Sequence, residues 1–216
     1  MAHSAGLSAD PYNLIITGVG GQGNVLASRM VGNMLSRLGL FVTIGETFGA
    51  SQRGGSVMSH LRISTRSCLS PQIPRGRAHG VVALEPIEAV RVLAAYGNPD
   101  VSVICNTRPI QPVSVICGEA SYPPVEDLKA RIRSLSHAAW FIDATEGAVG
   151  LGNPVLGNVI CVGALAATGL LPLDRGLFEA VAAETFPPEK REINHAAFDL
   201  GARMVREGGA APPAFG

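Results

Sequence analysis

The chain has 216 residues, 47% of them apolar, and Lys plus Arg balance Asp plus Glu at 17 each. That length and apolar content suit a globular protein of one large α/β domain or two small ones with a substantial core. The neutral balance argues against nucleic acid or a membrane surface as a general partner, and the longest apolar run, Val159 to Leu171, falls short of the about 20 residues that cross a bilayer.

The four cysteines, Cys68, Cys105, Cys117 and Cys161, are far apart and form no C-x-x-C pair. They show no zinc or iron–sulfur ligand pattern and fit a reducing cytoplasm. Residues 1–10 have no basic region followed by an apolar core, so a secretory signal is not expected. With no internal repeat and no clear linker, one domain is expected over 11–207, with flexible termini at 1–10 and 208–216.

The first unit reads as a strand over Leu14–Thr17, a glycine turn, a helix over about Asn24–Leu38 and a strand over Leu40–Ile44. Leu26, Met30, Met34 and Leu38 recur every four residues beside Ala27, Val31 and Leu35, giving one apolar stripe to lay on a sheet. Gly39 suits the helix C-terminus. Such a βαβ unit predicts parallel strands with a right-handed crossover.

From Glu46 the sequence turns polar and glycine-rich through Thr47 to Ser56, which predicts an exposed loop. Val57, Ser59, Leu61 and Ile63 then alternate with Met58, His60 and Arg62, and a short run ends at Ile73; together these predict an inserted β-hairpin. The frame resumes with a strand at Gly80–Glu85, Pro86 in the first turn of a helix over Ile87–Tyr96, and strands at Val101–Asn106 and Val113–Cys117. A helix over Val125–Leu135 and a strand over Trp140–Asp143 follow. Asn158–Gly169 is apolar all round and predicts a central helix, in which Gly163, Ala164 and Ala167 would admit a close neighbour. A short helix over Leu177–Phe186 and a last one from about Arg191 to Glu207 complete an α/β, Rossmann-like, mostly parallel sheet flanked by helices.

The neutral total hides an asymmetry. Between Glu46 and Glu85 there is no acidic residue, yet the segment carries Arg53, Arg62, Arg66, Arg75 and Arg77 with His60 and His79. This predicts positive charge on a loop and hairpin beside the glycine turn, ready for an anionic ligand, an acidic partner or an acidic electron carrier. Pairing of these arginines with acids from elsewhere in the fold is the alternative.

Gly18-Val19-Gly20-Gly21-Gln22-Gly23 has the G-x-G-x-x-G spacing of a dinucleotide loop, and Glu46 follows at about the distance of a ribose-binding carboxylate. An independent NAD(P)-binding reductase is therefore one reading; tight packing of helix on strand, or docking of a partner, fits the same residues. Ser51-Gln52-Arg53-Gly54-Gly55-Ser56 suits a phosphate, a carboxylate or an interface turn, and no catalytic constellation accompanies it. Asp143 ends a strand, where active-site acids often lie, and a helix N-cap or a loop anchor fits it better; His195 reads as a surface or boundary histidine. Glu85-Pro86, Asn106-Thr107-Arg108-Pro109 and Asn153-Pro154 are accounted for by local backbone hydrogen bonding.

Taken together, the glycine turn, Gly45 to His60 with its SQRGGS stretch, Leu84-Glu85-Pro86 and Asn106-Thr107-Arg108-Pro109-Ile110 resemble the γ-type domain of the 2-oxoacid:ferredoxin oxidoreductases. Within that family they are most similar to the small subunits of members that oxidise indolepyruvate, from about Asn13 to Arg206. The resemblance implies a cytoplasmic hetero-oligomer that oxidatively decarboxylates an aryl pyruvate, forms the acyl-CoA from coenzyme A and passes electrons through iron–sulfur clusters to ferredoxin. Thiamine diphosphate and the clusters are then expected in the large subunit, with no cofactor bound by this chain alone. Gly20, Gly21, Gln22 and Gly23 with Ser51, Gln52, Arg53, Gly54, Gly55 and Ser56 would contact the partner's active site or help admit coenzyme A. Arg53 would be the anion or interface contact and Glu46 the residue that fixes the loop.

Overall fold

A computed structural model of the chain describes residues 6–49 and 55–209. Its centre is a six-stranded sheet of β1 (Tyr12–Val19), β2 (Phe41–Phe48), β3 (Ser56–Ser64), β4 (Gly80–Ala83), β5 (Ser102–Asn106) and β6 (Ala138–Ile142), in the order β2-β3-β1-β4-β5-β6. β3 runs antiparallel to both of its neighbours, whereas β1, β4, β5 and β6 pair in parallel. The sheet is therefore mixed, with a single reversed strand.

Every residue of β1 is buried, because both faces of the sheet are covered. Leu14 and Ile16 enter one core with residues of α1 (Asn24–Arg37), α6 (Gly157–Thr168), α7 (Arg175–Thr185) and α8 (Pro188–Gly208). Ile15 faces the other way, into a core with α2 (Pro86–Tyr96) and α4 (Val125–Ser134). The period of two along β1 thus assigns alternate residues to the two cores.

The expected hairpin exists with a different partner. The alternating stretch is β3, as predicted, but it pairs with β2, Phe48 opposite Val57 and Phe41 opposite Ser64, and not with the run to Ile73. Consequently β2 is not the neighbour of β1: β3 lies between them and interrupts the expected βαβ pairing. Glu46, Thr47 and Phe48 belong to β2, so the predicted loop starts later, at Gly49.

Val113–Cys117 is not a strand. Val113–Ile116 forms a four-residue helix, α3, after Pro112, with no buried residue. Val113 and Ile116 are 71% and 69% exposed, and a strand there would have had no core to face. A further helix, α5 (Ala144–Gly150), and a 3₁₀ turn at Pro154–Leu156 stand where the sequence suggested none. Gly208 belongs to α8, and the Asp10 carboxylate accepts from the Thr65 hydroxyl and lies 3.8 Å from Arg66. No helix among the described residues is long and apolar enough to cross a membrane.

Two histidines at the sheet accept backbone hydrogen bonds through Nδ1. His60 on β3 is 2% exposed, and its Nδ1 accepts from the Ile73 N–H at 3.3 Å; His79 Nδ1 accepts from the Asn13 N–H at 2.9 Å. Burial holds both below the ordinary histidine value of 6.5, with the Arg77 charge adding to the effect at His79. A depressed folded pKa means that the unfolded chain binds more protons, so stability declines as pH falls from about 6.5 through the folded values. Melting temperature should therefore drop between neutral and mildly acidic pH, and the drop should be shallower in His60→Gln.

Candidate functional site

The carboxyl ends of β1, β4, β5 and β6 share one edge of the sheet, where open α/β folds bind ligands. At this edge the glycine turn ends β1 and starts α1. Gly23 takes φ +83°, a left-handed conformation, and a Cβ there would come within 2.1 Å of Asn158 Nδ2. Side-chain amides then stitch the strand ends together. Gln22 Oε1 accepts from the Val19 N–H at 2.7 Å, and its Nε2 donates to the Leu84 carbonyl at 2.8 Å. That carbonyl also accepts from Asn106 Nδ2 at 3.0 Å, and Asn106 Nδ2 reaches Thr145 Oγ1 at 3.0 Å.

β3 begins at the same edge, because Ser56 at its start pairs with Val19 at the end of β1. Gly20 donates its N–H to the Gly55 carbonyl at 2.9 Å, a direct bond between the glycine turn and the SQRGGS stretch. Ser56 donates its hydroxyl to the Glu88 carboxylate at 2.5 Å, and Arg91 pairs with the other Glu88 oxygen at 2.7 Å.

Glu85 performs a parallel task one turn earlier. Only 1% exposed, it caps α2 by accepting from the Glu88 N–H at 3.0 Å. Its second oxygen accepts from the Ile110 N–H at 3.3 Å and from the Tyr122 hydroxyl, which fastens the segment after β5. Burial and the neighbouring Glu85 carboxylate raise the Tyr122 pKa, so its hydroxyl remains a donor.

Between these elements lies a cleft of about 290 Å³. Gln22, Asn106, Arg108, Thr145 and Asn158 supply its polar lining; Leu84, Ile110 and Val155 supply apolar wall. Asn158, at the start of α6, donates to the Gly23 carbonyl at 3.4 Å, while its Oδ1 is buried without a partner among the described residues. Ile110 and Val155 are 36% and 60% exposed, so the rim is apolar and open.

Of the predicted site residues, Gly20, Gly21, Gln22, Gly23, Gly55 and Ser56 are gathered at this edge; Ser51, Gln52, Arg53 and Gly54 lie outside the described residues. Glu46 does not join them. It is exposed on β2 opposite Ser59, which is itself opposite Ile16, so two strand spacings of about 4.8 Å separate it from β1. A ribose held over the glycine turn would be out of its reach, and two of the turn's N–H donors are already spent on Gln22 and Gly55. The geometry therefore gives the nicotinamide reading no support.

The arginine block also divides. Arg62 follows the residue paired with Leu14, and Arg66 lies beyond Ser64, so both belong to the amino end of β1, the edge opposite the glycine turn. Arg77 is there too, its carbonyl accepting from Asn13 Nδ2 at 2.8 Å. The positive charge of Arg62, Arg66 and Arg77 is consequently not beside the turn, because β3 runs away from it.

Asp143 anchors a loop, accepting from the Thr107 hydroxyl, and does not cap α5 with its side chain. Asn153 is local, accepting from the Val155 N–H at 3.1 Å, and His195 is half-buried edge-on to Phe178. Glu85 makes the expected local bond, to the Glu88 N–H, but it and Asn106 also bond across 22 to 39 residues of sequence. Their only sequence signal was a polar side chain directly after a buried strand.

The described residues do not fit an iron–sulfur or other metal centre. They contain no group of three or more His, Cys, Asp or Glu suitably placed. Cys105 and Cys161 are buried thiols, the latter pushed up to about 12 by burial, and neither offers a thiolate at neutral pH.

Comparison with known proteins bears on the whole chain. Residues 13–204 match the family model described as pyruvate ferredoxin/flavodoxin oxidoreductase. The chain belongs to this family. Among curated proteins it is 36% identical over 197 residues to the indolepyruvate oxidoreductase subunit IorB of Pyrococcus horikoshii, covering 91% of this chain and 96% of that one. The corresponding subunit of Thermococcus kodakarensis is also 36% identical, with the same coverage. Among solved structures, the γ subunit of a keto/oxoacid ferredoxin oxidoreductase from Geobacter sulfurreducens superposes with a TM-score of 0.65 at 19% identity, over 91% of this chain and 99% of that one. The 2-oxoglutarate:ferredoxin oxidoreductase of Magnetococcus marinus gives 0.74 at 19% identity, over 95% of this chain and 33% of that chain. At such identities the structural matches establish the shared family fold, a mixed sheet between helical layers.

Proposed function

We propose that this chain is the small subunit of a cytoplasmic, thiamine-diphosphate-dependent 2-oxoacid:ferredoxin oxidoreductase acting on an aryl pyruvate, indolepyruvate foremost. The observation that carries this reading is the identity to indolepyruvate oxidoreductase subunits, coextensive with nearly the full length of both proteins. Thiamine diphosphate supplies the decarboxylation chemistry, and on this reading it and the iron–sulfur clusters belong to the large subunit. The part of this chain is to present the carboxyl edge, the glycine turn and the SQRGGS loop together, to the partner's active site and to the incoming coenzyme A. The Gly20–Gly55 bond supports that division of labour, because it ties the glycine turn to Gly55, at the start of β3. The apolar rim at Ile110 and Val155 supports it as well, since permanent subunit interfaces are apolar.

Co-expression with the large subunit tests the reading. The two chains should co-elute, and the complex should reduce an acceptor when given indolepyruvate and coenzyme A. Arg53→Ala should weaken assembly or raise the KM for coenzyme A by about tenfold, the loss of one charge-assisted contact, while the melting temperature of the isolated subunit stays unchanged. Normal assembly with normal coenzyme A saturation would remove Arg53 from the site. Micromolar binding of NADH or NADPH to the isolated chain would reinstate the reductase reading.

A further inference from the structure

β2 is the outermost strand of the sheet, and among the described residues no strand pairs with its free side. None of its eight residues is buried, whereas all of β1 is. Both faces of β2 are nevertheless packed: Ile44 lies close to Gly32 of α1 on one face, and Pro71 lies close to Gly45 on the other. The exposure therefore comes from the free side, and Phe41 and Phe48 are 43% and 60% exposed.

The ladder fixes which backbone groups are open. Gly49 donates its N–H to the Ser56 carbonyl at 2.8 Å, one step beyond the Phe48–Val57 pair. Bonded residues alternate along an antiparallel strand, so the odd-numbered residues of β2 bond β3, and Val42, Ile44, Glu46 and Phe48 turn their N–H and C=O groups outward. Outer strands of natural sheets are shielded by Lys, Pro, a bulge or shortness. Phe41 to Phe48 contains no Lys, Arg or Pro, and its register with β3 is unbroken over the whole length. By contrast β6, on the other side of the sheet, has five residues.

The strand is complementary to itself. A two-fold axis through Gly45, perpendicular to the sheet, sets Val42 opposite Phe48 of a second copy, Thr43 opposite Thr47 and Ile44 opposite Glu46. Aromatic with β-branched and Thr with Thr are favourable cross-strand pairs, and every outward N–H and C=O finds a partner, about eight bonds in all. Moving the axis to Glu46 would oppose two carboxylates, and moving it to Ile44 would set Phe48 opposite a residue beyond the strand. The side chains thus select one register. Rotation about this axis reverses strand direction, so the two carboxyl edges point opposite ways and each stays free for a large subunit.

We propose that β2 is a self-association surface: two copies of this chain join their sheets through antiparallel β2–β2 pairing centred on Gly45.

Light scattering on a sizing column tests this with the full-length chain, which should run at twice its 22.4 kDa mass at concentrations up to about 0.1 mM. Glu46→Pro removes one outward N–H and no bond to β3, so the dissociation constant should rise about tenfold or more with the far-UV circular dichroism unchanged. Phe48→Ser trims an exposed side chain and leaves the backbone intact. It should raise the dissociation constant severalfold, and it guards against a folding defect in the proline variant. A chain that stays monomeric through this range overturns the proposal. A dimer that both variants leave unchanged also overturns it, because the contact then lies on another surface. So does a monomer whose co-elution with the large subunit is lost in Glu46→Pro, since β2 would then pair with a strand of that subunit.

Discussion

Replacing Gly201 with alanine should unfold this protein or leave it marginally stable. Gly201 on α8 faces the backbone of α6, and a Cβ at that position would lie 1.8 Å from the Ile160 carbonyl oxygen and 2.9 Å from the Ala164 nitrogen. The contact is reciprocal: a Cβ on Gly163 of α6 would meet the Phe198 carbonyl oxygen at 2.0 Å. Main chain stands on both sides, so no rotamer change relieves the clash and one helix must move. Overpacking costs about 1 to 3 kcal/mol where side chains can adjust, and this position belongs at or above the upper end. Against a typical domain stability of about 5 to 15 kcal/mol, that is a large share. Urea midpoints measure it, and Gly163→Ala should behave alike. Gly150→Ala, at a helical position with nothing within 4 Å, is the control and should be neutral or slightly stabilising. Because α6 also carries Asn158, a shifted α6 should loosen the cleft before the fold is lost.

Glu85→Ala should have the second largest effect, and it should be felt in two places. The buried carboxylate caps α2 through the Glu88 N–H and holds the Ile110 N–H and the Tyr122 hydroxyl. Loss of the cap costs about 1 kcal/mol, and stranding the other donors adds about 1 to 3 kcal/mol. A destabilisation of about 2 to 4 kcal/mol is expected, read from the urea midpoint. Hydrogen exchange should quicken through residues 107–122 even under conditions where the sheet stays protected, because that segment loses its anchor while the core does not. Glu85→Gln keeps the volume but places an NH₂ or a single acceptor where two oxygens had worked, so it should recover only part of the loss. If both variants melt like the parent, the Glu85 network contributes nothing beyond the general packing of α2.

Much of the fold is legible because burial imposes a period. The apolar stripe of α1, the alternation along β3 and the all-apolar α6 each match the surface they bury. Gly163 and Ala164 likewise announced a close neighbour, which is α8. Where burial is absent, the pattern misleads. Val113-Ser114-Val115-Ile116-Cys117 has the composition of a strand, yet it lies exposed after Pro112 with no ladder to join, and it coils into α3. The opposite failure is α5, Ala-Thr-Glu-Gly-Ala-Val-Gly, whose two glycines argue against a helix. Packing against α6 and α8 sustains it, Gly147 making room for Leu200 and Met204.

The site divides in the same way. Sequence alone determined the glycine turn, the SQRGGS stretch, the acid-free arginine block and the family resemblance, since each resides in consecutive residues and local backbone chemistry. Tertiary structure decided which of them meet. Insertion of β3 between β1 and β2 brought Gly55 and Ser56 to the glycine turn, moved Glu46 out of reach and sent Arg62 and Arg66 to the opposite edge. The parallel order β1-β4-β5 and the helices beyond it assembled Gln22, Leu84, Asn106, Thr145 and Asn158 from five separate segments. Strand pairing is governed by contacts between residues far apart in the chain, and a period of two records which face a side chain takes but not which strand lies beside it.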